Sequence, residues 1–274
     1  MKRLRRLLPG LGTYAALYLA FLYLPVLLLP LFSFSEGTIV AFPIKGFTLD
    51  WYAQLGEADT LLHSLANSVI VGGSTAVLST VLGLFAARAY VRHRFFGREI
   101  SEGIVMLPLV IPGIIVASSM LVLFLFLGLR PSLPAVILGH TFLTVPFAVS
   151  ILKSAFDEFD PALEEAAYDL GETTIGVFRR VTMPIIGPGI VSSLLVTFTV
   201  SFDEFVLAFF LSGNRPTLPV YIWSQIRFPA KLPNTLALGS LLLAFSVLLL
   251  LTAEYFRRRA ATGQGARKES RDDR

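Results

Sequence analysis

The sequence has no cysteine in 274 residues and few charged residues. The lack of cysteine excludes a disulfide framework and any metal site built on thiolates. His63, His93 and His140 are too far apart to match the ligand spacing of a zinc site. Charged residues make up 15% of the chain, whereas a soluble domain has about 25%. We therefore predict that lipid is the natural solvent of this chain.

Two signatures of catalysis are also missing from the sequence. No Gly-x-x-x-x-Gly-Lys-[Ser/Thr] segment is present, so the chain lacks the loop that wraps nucleotide phosphates. Serine and histidine residues are scattered, without an order that indicates a nucleophile and its general base. The sequence predicts a protein that is not an enzyme, and any ATP that drives it must be hydrolysed by a partner.

Long apolar runs are what the sequence does contain. Six of them approach or exceed the roughly 20 residues that span a bilayer. We place them at Tyr14–Phe34, Leu65–Tyr90, Ile104–Leu129, Ala135–Leu152, Gly189–Leu211 and Leu236–Phe256. The first run is too long for a cleavable signal peptide, and no Ala-x-Ala site follows it. We predict an all-α integral membrane protein with six transmembrane helices, forming one domain over residues 1–274.

The distribution of basic residues predicts the orientation. With a cytoplasmic N-terminus, 18 of the 23 Lys and Arg residues lie in the predicted inside segments and 5 lie outside. Cytoplasmic segments carry the excess of basic residues in membrane proteins. Both termini are therefore predicted to be cytoplasmic. The basic tail from Arg257 onward is explained by attraction to anionic lipid, and we expect no nucleic-acid partner.

The longest predicted cytoplasmic loop, residues 153–187, contains a polar stretch, EEAAYDLGETTIGVFRRVTMP, at 164–184. Asp160 and Pro161 are typical of a helix N-terminus. Apolar residues then recur at helical spacing and form an apolar stripe, with acidic residues off it. The apolar stripe consists of Leu163, Ala166, Ala167 and Leu170; the acidic residues are Glu164, Glu165 and Asp169.

A second short helix is predicted in the second half of this stretch. Gly171 favours the end of the first helix, and Thr173 can cap the second. We expect Met183 and Pro184 to stop the second helix, which gives a helix–Gly–helix elbow on the cytoplasmic face. Two roles stay open on these residues alone. The elbow either docks a partner or lies along the membrane against the helix bundle.

The stretch resembles the EAA motif of permease subunits of bacterial ABC importers. That motif reads Glu-Ala-Ala, three residues, Gly, nine residues, Ile, one residue, Leu-Pro. The chain matches it with Val181 for Ile and Met183 for Leu. The resemblance implies a type I importer permease, in which the elbow couples the chain to a separate ATPase. The implied coupling residues are Glu164, Glu165, Ala166, Ala167, Asp169, Gly171, Val181, Met183 and Pro184.

The resemblance extends over most of the chain. FTLDWYAQL at 47–55, Asn67-Ser68 and the segment SFDEFVLAFFLSGNRPTLPVYIWSQIRFPAKLPNTLALGSLLL at 201–243 are similar to the second permease subunit of spermidine/putrescine-type importers. This implies a bacterial inner-membrane location and a small cationic solute. It also implies three kinds of protein partner: ATPase subunits, a second permease subunit and an extracytoplasmic binding protein. No cofactor is expected in this chain, because the partner ATPase would bind ATP and Mg²⁺.

Polar residues within the predicted spans are candidates for the substrate path. Asp203 and Glu204 lie in the outer half of the fifth run. They would either contact a cation or serve as structural acids that reach outward, pair with Arg215 or pair with a partner permease. Adjacent helical residues diverge by about 100°, so the two acids should not serve one site together. His140 fits a hydrogen-bonded packing residue better than a proton relay.

Other kinds of transport protein remain alternatives. The solute could be another small molecule carried by the same kind of importer. A secondary transporter would show several intramembrane acids and commonly inverted repeats, and the sequence has no evident repeat. A channel is the remaining alternative. A neighbouring ATPase gene would favour the importer over both.

Overall fold

The computed structural model of the chain describes residues 2–38, 41–44, 46–244 and 247–248. These residues are mainly helical, and the only extended pairing among them is an isolated antiparallel bridge between Ser35 and Phe47. The α-helices are α1 (Lys2–Ser33), α2 (Asp50–Gly56), α3 (Asp59–Arg92), α4 (Arg98–Met106), α5 (Gly113–Phe126), α6 (Leu133–Asp157), α7 (Ala162–Asp169), α8 (Thr174–Val177), α9 (Met183–Asp203), α10 (Val206–Leu211) and α11 (Leu218–Ile226). Residues 232–244 are also helical.

The chain divides into two compact units. The first contains residues up to Ala58 together with those from Ser224 onward. Within it, the indole Nε1 of Trp51 donates a hydrogen bond to the carbonyl oxygen of Ser35 at 2.8 Å. The hydroxyl groups of Ser33 and Tyr52 lie 2.6 Å apart. These contacts hold α2 against the end of α1.

The second unit, Asp59–Trp223, is built on three long helices, α3, α6 and α9. One side-chain hydrogen bond joins each pair of them. Ser79 and Thr144 join α3 to α6 at 2.7 Å, Thr80 and Ser193 join α3 to α9 at 2.9 Å, and His140 Nδ1 and Ser201 join α6 to α9 at 2.8 Å. Small hydroxyl residues at such interfaces let membrane helices approach closely while satisfying their polar groups.

Gly83 lies where α3 and α6 approach most tightly. A Cβ atom at this position would lie 2.6 Å from the Cβ of Ala148 and 2.9 Å from its carbonyl carbon. A Cβ at Gly73, also on α3, would meet no atom within 4 Å. The lack of a Cβ at position 83 therefore lets α3 and α6 pack closely.

We expect Gly83→Ala to destabilise the protein by about 1–3 kcal/mol, because overpacking forces the backbone of α6 to move. Gly73→Ala is the matched control, since alanine has a higher helix propensity than glycine by about 1 kcal/mol and meets no obstacle there. Thermal unfolding in detergent should give a lower Tm for Gly83→Ala and an unchanged or higher Tm for Gly73→Ala. Equal Tm values for the two variants would contradict close packing at Gly83.

The long helices agree with most of the predicted spans. Four are long and apolar enough to cross a membrane: Gly12–Ser33, Asp59–Arg92, Leu133–Asp157 and Thr174–Asp203. The structure thus has four such helices in its described part, or up to five if a bent pair counts as one span. The sixth predicted span, Leu236–Phe256, is helical at 236–244 and 247–248, and its other residues fall outside the described ones.

The prediction of a continuous third span, Ile104–Leu129, is wrong. Arg98–Leu109 and Gly113–Phe126 are separate helices bent by 101° relative to each other. Pro112 stands immediately before α5 with an extended ψ of 128°. Proline removes a backbone donor and disfavours helical geometry in the residue before it, so the helix breaks at this point.

The fifth predicted span, Gly189–Leu211, also has wrong bounds. The helix continues back through Pro184 to Thr174 and ends at Asp203. Glu204 is extended, with a ψ of 113°, and α10 then starts as a separate short helix. Asp203 and Glu204 therefore lie at a helix break, not inside a continuous transmembrane helix.

Candidate functional site

The loop between α6 and α9 is positioned by local hydrogen bonds that its sequence favours. Asp160 Oδ1 accepts a hydrogen bond from the backbone N–H of Ala162 at 3.0 Å, next to the start of α7. Thr173 Oγ1 accepts from the N–H of Gly176 at 3.2 Å and caps α8. Both contacts place a short oxygen-bearing side chain on unpaired donors of a helix N-terminus.

Gly171 ends α7 in a left-handed conformation, with a φ of +83°. The N–H of Gly171 donates to the carbonyl of Tyr168 at 2.9 Å, and the N–H of Glu172 donates to that of Ala167 at 3.1 Å. This pair of bonds is the Schellman motif, in which glycine is favoured because it has no Cβ. The turn sets the direction in which α8 leaves α7.

The apolar stripe of α7 faces outward. Leu163 is 48% exposed and Leu170 is 89% exposed, Ala166 is exposed, and Ala167 is half-buried. On α8, Ile175 is 79% exposed. Surface helices normally turn their apolar face to the core, so this loop has its polarity inverted. An exposed apolar surface of this kind indicates a site for another molecule.

The buried face of α7 holds a charge. Glu164 is the one buried residue of this helix and is 7% exposed. Its carboxylate lies 3.5 Å from Arg88 Nη1 and 3.4 Å from Arg92 Nε. It also accepts a short hydrogen bond from the hydroxyl of Thr182. Buried carboxylates need such partners, because an unpaired charge away from water is strongly unfavourable.

Two aromatic rings hold the arginines in place. The guanidinium of Arg88 lies over the ring of Phe178, and that of Arg92 lies over the ring of Phe159, each 4.9 Å from the ring centre. Arg92 Nη2 also donates to the carbonyl oxygen of Phe159 at 3.2 Å. Cations over aromatic faces are attracted by the ring quadrupole. Glu164 and the two rings therefore surround both guanidinium groups.

The coupling residues implied by the sequence divide between two surfaces. Glu165, Ala166, Asp169 and Gly171 are exposed, whereas Glu164 is buried. Glu164 is buried because it pairs with two arginines on α3, Arg88 and Arg92. In the sequence, these arginines served only as indicators of orientation. Arg88 and Arg92 lie one helical turn apart at the end of a predicted span, and this spacing could have indicated a buried acidic partner.

The last three residues of the motif lie away from the exposed surface of α7. Val181 and Met183 are half-buried, and Met183 packs against a buried apolar cluster. That cluster consists of Leu84, Ala87, Leu152, Phe156 and Ile186.

The prediction that Met183 and Pro184 stop the helix is wrong. Pro184 falls in the first turn of α9, and a π-turn at Phe178–Thr182 joins α8 to α9, so the helix continues past both residues.

The two candidate substrate-path acids have different surroundings. Glu204 is half-buried, and its Oε1 accepts a hydrogen bond from the N–H of Leu207 at 3.0 Å. Asp203 is exposed and forms no hydrogen bond or ion pair with a described residue. Within the described ranges, neither acid pairs with Arg215. The structure thus gives Glu204 a helix-capping contact and leaves Asp203 without a structural partner among these residues.

His140 is buried inside the bundle. Its Nδ1 pairs with Ser201 at 2.8 Å, as a packing residue requires. Across the described residues, no three His, Asp or Glu side chains come together in a way that could hold a metal ion.

The chain is similar to known transport proteins over most of its length. A family model described as "Binding-protein-dependent transport system inner membrane component" matches residues 79–262. The chain is 31% identical over 261 residues to the spermidine/putrescine transport system permease protein PotC of Shigella flexneri, covering 95% of this chain and 97% of that protein. It is 33% identical over 248 residues to the putrescine transport system permease protein PotI of Escherichia coli K12, covering 88% of each.

A more distant relative and two solved structures are also similar. A probable molybdenum ABC transporter permease protein of Haloferax volcanii is 36% identical over 175 residues, 60% of this chain and 64% of that protein. A bacterial ABC transporter that imports alginate has a TM-score of 0.74 at 16% identity, covering 93% of this chain and 98% of that one.

The MetNI methionine ABC transporter has a TM-score of 0.55 at 22% identity, covering 76% of this chain and 95% of that one. These structures show the fold, and the family match and the relatives show the membership. The chain belongs to the inner-membrane components of binding-protein-dependent transport systems: it is a permease subunit of an ABC importer, a transport protein and not an enzyme.

Proposed function

We propose that this permease docks a separate ATPase through the exposed face of α7 and α8. The observation that carries the proposal is the outward-facing apolar stripe. Leu170 and Ile175 are among the most exposed large apolar residues of the loop between α6 and α9. Glu165 and Asp169 are exposed beside them. An apolar helix face with a polar rim is suited to a groove on another protein. The ATPase would bind ATP and Mg²⁺, since this sequence has no phosphate-binding loop.

We further propose that the solute is a small polyamine such as spermidine or putrescine. The relatives named for these solutes cover most of this chain. Asp203 is an exposed carboxylate with no partner among the described residues, which suits a cationic solute. A second permease subunit would complete the path, and an extracytoplasmic binding protein would deliver the solute.

The complex offers a direct test. The chain should be purified with its neighbouring gene products, placed in lipid vesicles, and assayed for ATP hydrolysis with the binding protein and each solute. We expect spermidine or putrescine to stimulate hydrolysis, and uncharged or anionic solutes of similar size to have no effect. Stimulation by a different solute would overturn the polyamine assignment. Failure of any ATPase subunit to co-purify would overturn the docking role.

The orientation in the membrane can be tested with single cysteines, because the chain has none of its own. Thr174, at the start of α8, and Gly56, at the end of α2, are both exposed. With the charge bias of 18 to 5, we expect Thr174→Cys to react with a membrane-impermeant maleimide only from the cytoplasmic side. Gly56→Cys should react only from outside. The reverse pattern would invert the proposed topology, and the cysteine-free chain is the blank.

A further inference from the structure

Glu164 is the principal buried attachment of α7. Every other residue of this helix is exposed or half-buried, whereas Glu164 is 7% exposed. Short chain segments connect α7 to α6 and α8, but its side-chain contact with α3 passes through Glu164. The same carboxylate accepts a hydrogen bond from Thr182, in the π-turn that leads into α9. One side chain therefore joins α7 both to α3 and to the turn that leads into α9.

The arginines that receive Glu164 lie at the end of α3. This helix has 34 residues and is about 51 Å long at 1.5 Å per residue, which exceeds the hydrocarbon thickness of about 30 Å. Arg88 and Arg92 occupy its last turns, so a force on Glu164 acts at the end of a long, stiff element. The two guanidinium groups face the single carboxylate of Glu164, and all three groups are mostly shielded from water. This contact is therefore hard to separate.

We propose that Glu164 is a positioning residue that transmits movement between the ATPase-docking face of α7 and the helix α3. This inference rests on the proposed docking function. Movement of α7 with the ATPase pulls on Arg88 and Arg92, and α3 follows because the ion pairs resist separation. The residues that contact the ATPase lie on the outer face of α7, and Glu164 on the inner face carries their displacement into the bundle.

Glu164→Gln is the sharpest probe, because glutamine keeps the size of the side chain and an oxygen that can accept from Thr182. The rings of Phe178 and Phe159 still hold the two guanidinium groups. The docking face is unchanged, so we expect ATPase co-purification to stay within about twofold of wild type. Uptake and its yield per ATP should fall about tenfold or more, since breaking a buried ion pair is strongly unfavourable.

Glu158→Gln is the matched control. Glu158 lies just beyond α6, is exposed, and forms no ion pair with a described residue. Uptake by Glu164→Gln equal to that of this control would overturn the inference. A loss of ATPase binding that parallels the loss of uptake would also overturn it, because Glu164 would then only shape the docking surface.

A double variant keeps the inference testable if Glu164→Gln alone fails to fold. Arg88→Gln combined with Glu164→Gln leaves one buried arginine instead of two, which reduces the unpaired charge. The double variant should bind the ATPase and still couple poorly. Its uptake should stay about tenfold or more below that of wild type, because the contact through Glu164 is missing. Normal uptake by a double variant that binds the ATPase would contradict the proposal.

The controls separate this inference from the proposed function. If the wild-type chain binds no ATPase, the docking role fails and the inference fails with it. If the wild type couples hydrolysis to uptake and Glu164→Gln does so equally well, only the role of Glu164 is lost.

Discussion

Gly171→Val should weaken ATPase binding and reduce uptake about tenfold, which corresponds to about 1.4 kcal/mol. Gly171 has a φ of +83°. In this left-handed conformation a Cβ comes too close to the backbone carbonyl, which costs about 1–2 kcal/mol. A β-branched residue is tolerated least in this region. A Cβ at this position would meet no neighbouring atom within 4 Å. The effect therefore comes from the backbone conformation and not from a steric clash with the bundle.

The loss follows from the geometry of the turn. The bonds from Gly171 and Glu172 back to α7 exist only if residue 171 is left-handed. Without them, α8 leaves α7 in another direction, and Leu170 and Ile175 no longer present one surface. The helix bundle lies outside this turn, so membrane insertion should be retained.

A graded series at position 171 tests the cause. Asparagine is tolerated in the left-handed region better than alanine, and alanine better than valine, so ATPase binding should fall in that order. Gly103→Val is the control, because Gly103 lies within the helix α4 and a Cβ at this position would meet no atom within 4 Å. Co-purification of the ATPase with each variant gives the measurement. Normal binding and uptake by Gly171→Val would remove the docking role of this loop.

The features of the loop that could be predicted are local ones. Gly171 and Thr173 act on backbone groups within a few residues, and their conformations agree with what their residue types favour. The burial of Glu164 could not be predicted in this way. It depends on Arg88 and Arg92, which come from a helix far earlier in the chain. A charged residue off an apolar stripe is normally interpreted as exposed, and here long-range pairing reverses that pattern.

Of the two helix breaks, one had a signal in the sequence and the other had none. Pro112 was a visible signal for the break before α5, but the apolar composition on both sides outweighed it in the prediction. The break after Asp203 had no proline or glycine to mark it. It depends on the contact between Glu204 and the N–H of Leu207, in which a carboxylate competes with the helix for a backbone donor. Composition predicts how much chain is apolar enough for the membrane, and specific contacts decide where each helix ends.

The break matters for the solute, because it leaves the carboxylate of Asp203 exposed at the end of α9. A polyamine entering a cell that is negative inside gains about 2.3 kcal/mol per charge for each 100 mV. Such a solute needs little attraction deep in the membrane. On the proposed topology, we expect one carboxylate at this helix end to guide the solute from the binding protein into the path.

Neutralising Asp203 should therefore reduce polyamine uptake while leaving the complex intact. We expect Asp203→Asn to reduce uptake from limiting concentrations about tenfold, because hydrogen bonds to charged groups contribute about 1.5–3 kcal/mol. Basal ATP hydrolysis and the yield of the complex should be retained, since Asp203 has no partner among the described residues that the substitution would break. Glu204→Gln should have a smaller effect, as glutamine can still accept from Leu207.

Glu57→Gln is the control for a general loss of negative charge on the proposed outer surface, because Glu57 is exposed at the end of α2. Uptake of spermidine and putrescine should be measured for the three variants in vesicles with the binding protein present. A loss confined to Asp203→Asn, and absent for an anionic or uncharged solute, supports a cation contact. Normal polyamine uptake by Asp203→Asn would make this carboxylate a surface residue, and the polyamine assignment would then rest on the relatives alone.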